Sequence, residues 1–131
     1  MKIKASHIVA ACALAFAASS QAADKVKVGF ISTLSGPSAA IGVDIRDAFQ
    51  LAIKMNGGKL GGLPAEVLVG DDQFKPEVGR QLAEKYVKLD KVNFMTGFVF
   101  SNIMLAAVPV AFEAKTIYVS PNAAPSPLAG K

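Results

Sequence analysis

Short apolar runs alternate with helical segments along most of this chain. Residues 26–31 have the pattern of a strand buried on both faces, and similar short runs follow at 65–69, 92–96 and 116–119. A single helical segment separates each run from the next. Strands joined in this way imply right-handed crossovers and a parallel sheet. The sequence therefore predicts an α/β fold, with a Rossmann-like parallel sheet flanked by helices.

The three helical segments are predicted at residues 39–55, 76–89 and 101–114. In the first, apolar positions recur at steps of three and four residues, which places them on one face against the sheet. Those positions are Ile41, Ile45, Ala48, Ala52 and Met55. In the third, Pro109 is expected to kink the helix or split it in two.

Residues 1–22 have the order of a secretory signal peptide. Two lysines precede an apolar run at 8–18, and small Ser20 and Ala22 stand three and one residues before the expected cut. The run is shorter than the roughly 20 residues needed to span a bilayer. We therefore predict export to the periplasm, with residues 23–131 as the mature chain.

An alternative reading of this region is a lipoprotein signal. Residues 9–12, Val-Ala-Ala-Cys, resemble a lipoprotein cleavage box, which would make Cys12 a lipidated first residue. Only residues 8–11 would then form the apolar core of the signal, fewer than the roughly 7 that such a core needs. Lipid anchoring is therefore the minor alternative.

Cleavage after Ala22 removes most of the reactive side chains. His7 is the only histidine and Cys12 the only cysteine. The mature chain therefore cannot form a disulfide, a Cys/His zinc site or a Ser-His-Asp triad. The formal charge falls from +4 to +2 because two lysines are lost, and the remaining lysines are scattered among acidic residues. We expect no nucleic-acid binding, no catalytic residue, no metal and no cofactor.

Ligands of open parallel sheets bind beyond the carboxyl ends of the strands. One such loop, residues 97–102, reads Gly-Phe-Val-Phe-Ser-Asn, and Ser101 stands where the third helix begins. Its hydroxyl and the free amides of the first helical turn could receive a carboxylate. Ser101 could equally cap its own helix. Phe98 and Phe100 share one face and could belong to the core or border a pocket.

Asp71 and Asp72 follow the second apolar run. They could hold a metal ion or act as acid and base. Short acidic side chains at a strand end more often cap the next helix or form turn hydrogen bonds. We favour the second interpretation, because the sequence shows no pocket that would perturb the carboxylates.

Four stretches follow one another along the mature chain: VKVGFISTLSGPSAAIG, LAIKMNGGKLGGLPAEVLVGDDQ, GFVFSN and IYVSPNAAPSPLAGK. In this order they resemble the start of the solute-binding proteins of the branched-chain amino acid (Leu/Ile/Val-binding) class of ABC transporters. The resemblance implies a type I periplasmic binding protein, whose two α/β lobes close on a solute. It also implies that residues 23–131 are part of the N-terminal lobe only.

The resemblance places ligand contacts at Ser101 and the loop from Asn122 to Ala124, and gives Ile41 a place in the side-chain pocket. With Phe100, these residues make up the predicted ligand site. Amino-acid binders of this class tend to carry a threonine where Ala124 stands, so an acceptor for an ammonium group is missing. The ligand is therefore expected to be a small carboxylate, with aromatic acids preferred over amino acids.

We therefore predict a binding protein that is not an enzyme. It would be the extracytoplasmic solute-binding component of an ABC importer, with permease subunits in the inner membrane as partners. A ligand-sensing receptor module could use the same fold. An exported metal-dependent hydrolase that uses Asp71 and Asp72 is the less favoured alternative.

Overall fold

A computed structural model describes residues 25–128 of the chain. These residues form five strands and three helices, which alternate except that two strands follow one another after the first helix. A π-helical turn, Tyr86–Asp90, extends the second helix, and a 3₁₀ turn, Ser126–Leu128, lies near the end. The strands and helices are β1 (Val26–Ser32), α1 (Ala39–Met55), β2 (Lys59–Leu60), β3 (Leu63–Asp71), α2 (Pro76–Lys85), β4 (Phe94–Thr96), α3 (Ser101–Glu113) and β5 (Ile117–Val119).

The strands form one sheet in the order β2-β3-β1-β4-β5. β1 pairs in parallel with β3 and β4, so that Phe30 lies opposite Val69 on one side and Thr96 on the other. β4 pairs in parallel with β5. The predicted α/β class and parallel sheet are confirmed, and the chain crosses from strand to strand through single helices.

Residues 59–64, which lie outside the predicted strands and helices, are part of the sheet. β2 and β3 pair antiparallel, with Leu60 opposite Leu63, around a two-residue turn. The turn consists of Gly61 and Gly62, which both have positive φ, as tight hairpin turns require. The second parallel strand therefore begins before residue 65, and the sheet has an antiparallel edge strand.

Helices α2 and α3 cover one face of the sheet, and the main core lies beneath them. Gly79 of α2 lets the two helices approach closely, because a Cβ there would collide with the side chain of Ile103. The core between these helices and the sheet is formed by Ile31, Ala83, Tyr86, Val87, Val92, Met95, Phe98, Ile103, Met104, Ala107, Val108, Ala111 and Ala123.

Helix α1 covers the opposite face with a different set of residues from the one predicted. Phe49 stacks on Phe30 of β1, with ring centroids 5.7 Å apart, and Ile53 is buried. In contrast, Ile41 is 50% exposed and Met55 is 80% exposed. The predicted bounds of α1 are correct, but the predicted inner face is wrong.

A glycine explains this difference. Gly42 is buried, and a Cβ at this position would overlap the carbonyl oxygen of Thr33. The helix therefore touches the end of β1 through backbone atoms, which a search for apolar side chains does not detect. This contact turns residues 42, 49 and 53 toward the sheet instead of Ile41 and Met55.

Helix α3 runs without interruption through Pro109, so the predicted split does not occur. Proline removes the hydrogen bond that its own amide would make to residue 105. Both Pro109 and Leu105 are exposed, so water can satisfy the carbonyl group left free. Across residues 25–128, no helix has the length and apolar character needed to cross a membrane.

Candidate functional site

The predicted site lies at the carboxyl edge of β4 and β5, around the start of α3. Ser101 is exposed and is the first residue of this helix. Phe100 precedes it in an extended conformation, and no side chain caps the helix. The first intrahelical bond joins the Met104 amide to the Phe100 carbonyl oxygen, 3.0 Å apart. Ser101 therefore does not cap the helix, and the amides of residues 101–103 remain available at its positive end.

The loop that follows β5 packs against the residues that precede Ser101. Asn122 donates its side-chain amide to the Val99 carbonyl oxygen at 2.8 Å. The Ala123 amide donates to the Phe98 carbonyl oxygen at 3.4 Å. The structure thus brings together two predicted parts of the site that are separated by about twenty residues in sequence.

These hydrogen bonds limit which groups of Asn122 can contact a ligand. Its side-chain amide holds the loop in place, so its backbone is the part best placed to contact a solute. Ala123 is buried and Ala124 is exposed. Ser120 steadies the loop further by donating its hydroxyl to the Ala123 carbonyl oxygen.

A concave pocket of about 210 Å³ opens beside this loop. Ala124 contributes to its wall, as does Met104, which stands one turn after Ser101 on α3. The pocket is lined by Met104, Ser120, Ala123, Ala124, Pro125 and Leu128. Sequence reasoning missed Met104 and Leu128. Met104 could have been found from its helical spacing of three residues from Ser101.

The two phenylalanines of the 97–102 loop have different environments. Phe98 is fully buried and packs on Tyr118, with ring centroids 5.5 Å apart, so it belongs to the core. Burial also raises the pKa of Tyr118 to about 12. Phe100 is partly buried and meets the ring of Phe74 edge-on at 4.6 Å. Of the pair, Phe100 therefore has the position that borders the site.

Ile41 lies in the first turn of α1, which follows β1, the strand next to β4. It is at the same edge of the sheet as Ser101, and half of its surface is exposed. Its place in a side-chain pocket stays a prediction.

Asp71 and Asp72 form the turn hydrogen bonds that the sequence favoured. Oδ1 of Asp71 accepts from the amides of Leu34 and Gln73, each at 2.9 Å. Oδ1 of Asp72 accepts from the Thr33 hydroxyl at 2.5 Å and from the Phe74 amide at 2.9 Å. The two carboxylates tie the end of β3 to the end of β1.

The same environment shifts the pKa values of the two carboxyls in opposite directions. Burial raises the pKa of Asp72, and the hydrogen bond from Thr33 offsets this only in part. Partial burial also acts to raise the pKa of Asp71, but hydrogen bonds from Ser35, Leu34 and Gln73 outweigh it and lower the pKa. Between residues 25 and 128, no three His, Cys, Asp or Glu side chains cluster as a metal site.

Comparison with known proteins agrees with this fold. Residues 25–131 match the periplasmic binding protein family. A Leu/Ile/Val-binding protein homolog from Brucella abortus is 31% identical over 125 residues, which is 95% of this chain and 32% of that relative. The chain thus spans about a third of the length of the curated relatives that it matches.

Two solved structures show the same architecture. A solute-binding protein of an ABC transporter from Rhodopseudomonas palustris, in complex with 3,4-dihydroxybenzoic acid, is 35% identical with a TM-score of 0.73. The match covers 78% of this chain and 28% of that one. The substrate-binding protein LivJ from Streptococcus pneumoniae, in complex with isoleucine, is 28% identical with a TM-score of 0.73. That match covers 79% of this chain and 30% of LivJ.

The fold and these matches therefore define part of a lobe of a type I solute-binding protein. The chain belongs to the periplasmic binding protein family and falls in its branched-chain amino acid class. Its relatives and structural neighbours are binding proteins that are not enzymes. The resemblance first noted in the four sequence stretches is thereby confirmed.

Proposed function

We propose that this chain forms one side of the solute site in the binding component of an ABC importer. Its ligand would be a small carboxylate, with aromatic acids preferred over amino acids. One observation carries this proposal: the loop 122–124 is hydrogen-bonded to Phe98 and Val99, which lead directly into the uncapped start of α3 at Ser101.

The start of α3 suits a carboxylate. Its free amides point out of the helix at the positive end of the dipole, and the Ser101 hydroxyl stands beside them. A hydrogen bond to a charged group contributes about 1.5–3 kcal/mol. Both solved relatives named above hold ligands that carry a carboxylate.

The rest of the site supports an apolar or aromatic body on the ligand. The pocket beside the loop 122–124 has the methyl group of Ala124 where a threonine would offer an acceptor to an ammonium group. Met104 and Leu128 add apolar surface. This apolar wall suits an aromatic ring. The α-amine of an amino acid would have no hydrogen-bond partner there, and its burial would weaken binding.

Ligand preference can be tested in a two-lobed chimera. In it, residues 25–131 replace the matching segment of S. pneumoniae LivJ, so that the second lobe comes from an isoleucine binder. Calorimetry should show that 3,4-dihydroxybenzoate gains affinity relative to isoleucine, compared with unchanged LivJ. An unchanged preference for isoleucine in the chimera would contradict the aromatic part of the proposal.

The partners in the inner membrane would be the permease subunits that receive the solute. A receptor module with the same fold is the second candidate. Uptake of radiolabelled 3,4-dihydroxybenzoate should fall in cells that lack this gene if the protein serves an importer. Unchanged uptake would favour the receptor.

A further inference from the structure

The loop between β3 and α2 holds an aromatic side chain that the predicted site did not include. Phe74 is 47% exposed, and its ring meets the ring of Phe100 edge-on, with centroids 4.6 Å apart. Edge-to-face contact at this distance is a favourable arrangement for aromatic pairs. Phe100 is the residue immediately before Ser101, so the contact reaches the first turn of α3.

The position of Phe74 is imposed by its backbone. Phe74 has φ of 60° and Gln73 has φ of 53°, a left-handed region that residues other than glycine seldom adopt. Two carboxylates hold this conformation, since Asp71 accepts from the Gln73 amide and Asp72 from the Phe74 amide. Asp72 is in turn fully buried and bonded to Thr33 at the end of β1. The loop is therefore fixed to the sheet, and the ring of Phe74 is fixed with the loop.

The start of α3 needs such a support. It has no side-chain cap, and a helix end without a cap tends to fray. Phe100 closes the first bond of the helix by accepting from the Met104 amide. Holding the Phe100 ring also holds the carbonyl group that closes this bond.

We infer that Phe74 is a positioning residue for the carboxylate site. Its ring packs against Phe100 and so restricts the motion of the first turn of α3. The hydroxyl and amide of Ser101 are held in place with that turn. We call this contact the clamp. The inference rests on the proposed function in one respect only, which is that this turn receives the carboxylate. Phe74 itself need not touch the ligand.

Hydrogen exchange on the full chain tests the clamp without any ligand. In Phe74→Ala, the Met104 amide should exchange about 2- to 10-fold faster. This is the fold-change that corresponds to the interaction energy of one aromatic pair. Phe74→Tyr keeps the ring and should exchange like the unchanged protein. Phe112→Ala is the matched control, because Phe112 is a partly exposed phenylalanine at the other end of α3. Equal exchange of Met104 in Phe74→Ala and the unchanged chain would overturn the clamp, as would uniformly faster exchange across all helices.

Ligand titration in the two-lobed chimera tests the link to binding. Phe74→Ala should weaken 3,4-dihydroxybenzoate and isoleucine by a similar factor of about 2 to 10, because both depend on the same carboxylate contacts. A loss confined to the aromatic acid would overturn the positioning role and make Phe74 part of the ligand wall. If the unchanged chimera binds neither carboxylate, the proposed function fails, while the exchange experiment still decides whether Phe74 supports α3.

Discussion

At the scale of single residues, the site depends on polar groups whose neighbours decide what they can do. Ser101 does not use its hydroxyl as a helix cap, because the cap position belongs to Phe100. The side-chain amide of Asn122 donates a hydrogen bond to the Val99 carbonyl oxygen and so holds the loop 122–124 in place. Asp71 and Asp72 look alike in sequence, yet burial raises the pKa of Asp72 while hydrogen bonds lower the pKa of Asp71.

Replacing Ser101 with alanine should weaken carboxylate binding by about one to two decades. This follows from the loss of one hydrogen bond to a charged group. Calorimetry on the two-lobed chimera would measure it with 3,4-dihydroxybenzoate. Ser126→Ala, an exposed serine in the 3₁₀ turn, provides the control. Unchanged affinity in Ser101→Ala would leave the backbone amides as the sole anion site.

Asp72 should make the stability of the fold depend on pH. Because its pKa is raised in the folded state, the folded chain holds this proton more tightly than the unfolded chain does. The free energy of unfolding should therefore fall as pH rises from the ordinary Asp value of 3.8 through the folded-state pKa.

Asp72→Asn should lack that pH dependence. Chemical denaturation followed by circular dichroism, at several pH values between about 4 and 7, would measure it. Asp44→Asn is the control, since Asp44 is exposed on α1. If the free energy of unfolding changes with pH equally in Asp72→Asn and the unchanged chain, the titration of Asp72 does not cause the pH dependence.

At the scale of helices and strands, close backbone approach decides how α1 lies on the sheet. Gly42 lies against the backbone of Thr33. Phe49 and Ile53, on the same side of the helix, then pack against the sheet. Gly79 acts similarly between α2 and α3. Both helices meet their neighbours through positions that carry no side chain.

Gly42→Ala should destabilise the fold even though alanine favours a helix. The propensity gain is at most about 1 kcal/mol, whereas forcing extra volume into a packed contact costs about 1–3 kcal/mol. Here the new Cβ would overlap a backbone oxygen, which cannot rotate away. The midpoint of denaturation should therefore fall. Ala52→Leu adds volume at an exposed position of α1 and should leave it nearly unchanged.

At the scale of the whole molecule, the two faces of the sheet differ. Helices α2 and α3 enclose the main core on one face, while α1 lies on the other. On the α1 face, Ile117 and Val119 of β5 are more than half exposed. The proposed ligand site lies at the carboxyl edge between these faces, where an open parallel sheet places its ligands.

Export also concerns the molecule as a whole, and residues 1–22 lie outside the residues that the structure describes. We expect the mature protein to begin at Ala23, because small residues stand three and one positions before that cut. Mass spectrometry of the periplasmic protein would check this. A first residue of Cys12 carrying lipid would instead establish the lipoprotein form.

Much of the architecture could be predicted from the sequence. The order of strands and helices and the bounds of α1 follow from apolar periodicity and from glycine and proline signals, which act within a few residues. The position of Ser101 at the start of α3 follows in the same way. The short strand β2 was missed because two residues pair as a strand only when a partner lies beside them.

By itself, the sequence determined the α/β class and the family, because these depend on local patterns. The tertiary structure decided which face of α1 is buried, through the approach of Gly42 to Thr33. It also brought Asn122 to Val99 and Phe74 to Phe100, pairs that are more than twenty residues apart. Such contacts form only once the parallel strands bring their carboxyl ends to one edge, and no periodicity along the chain encodes them.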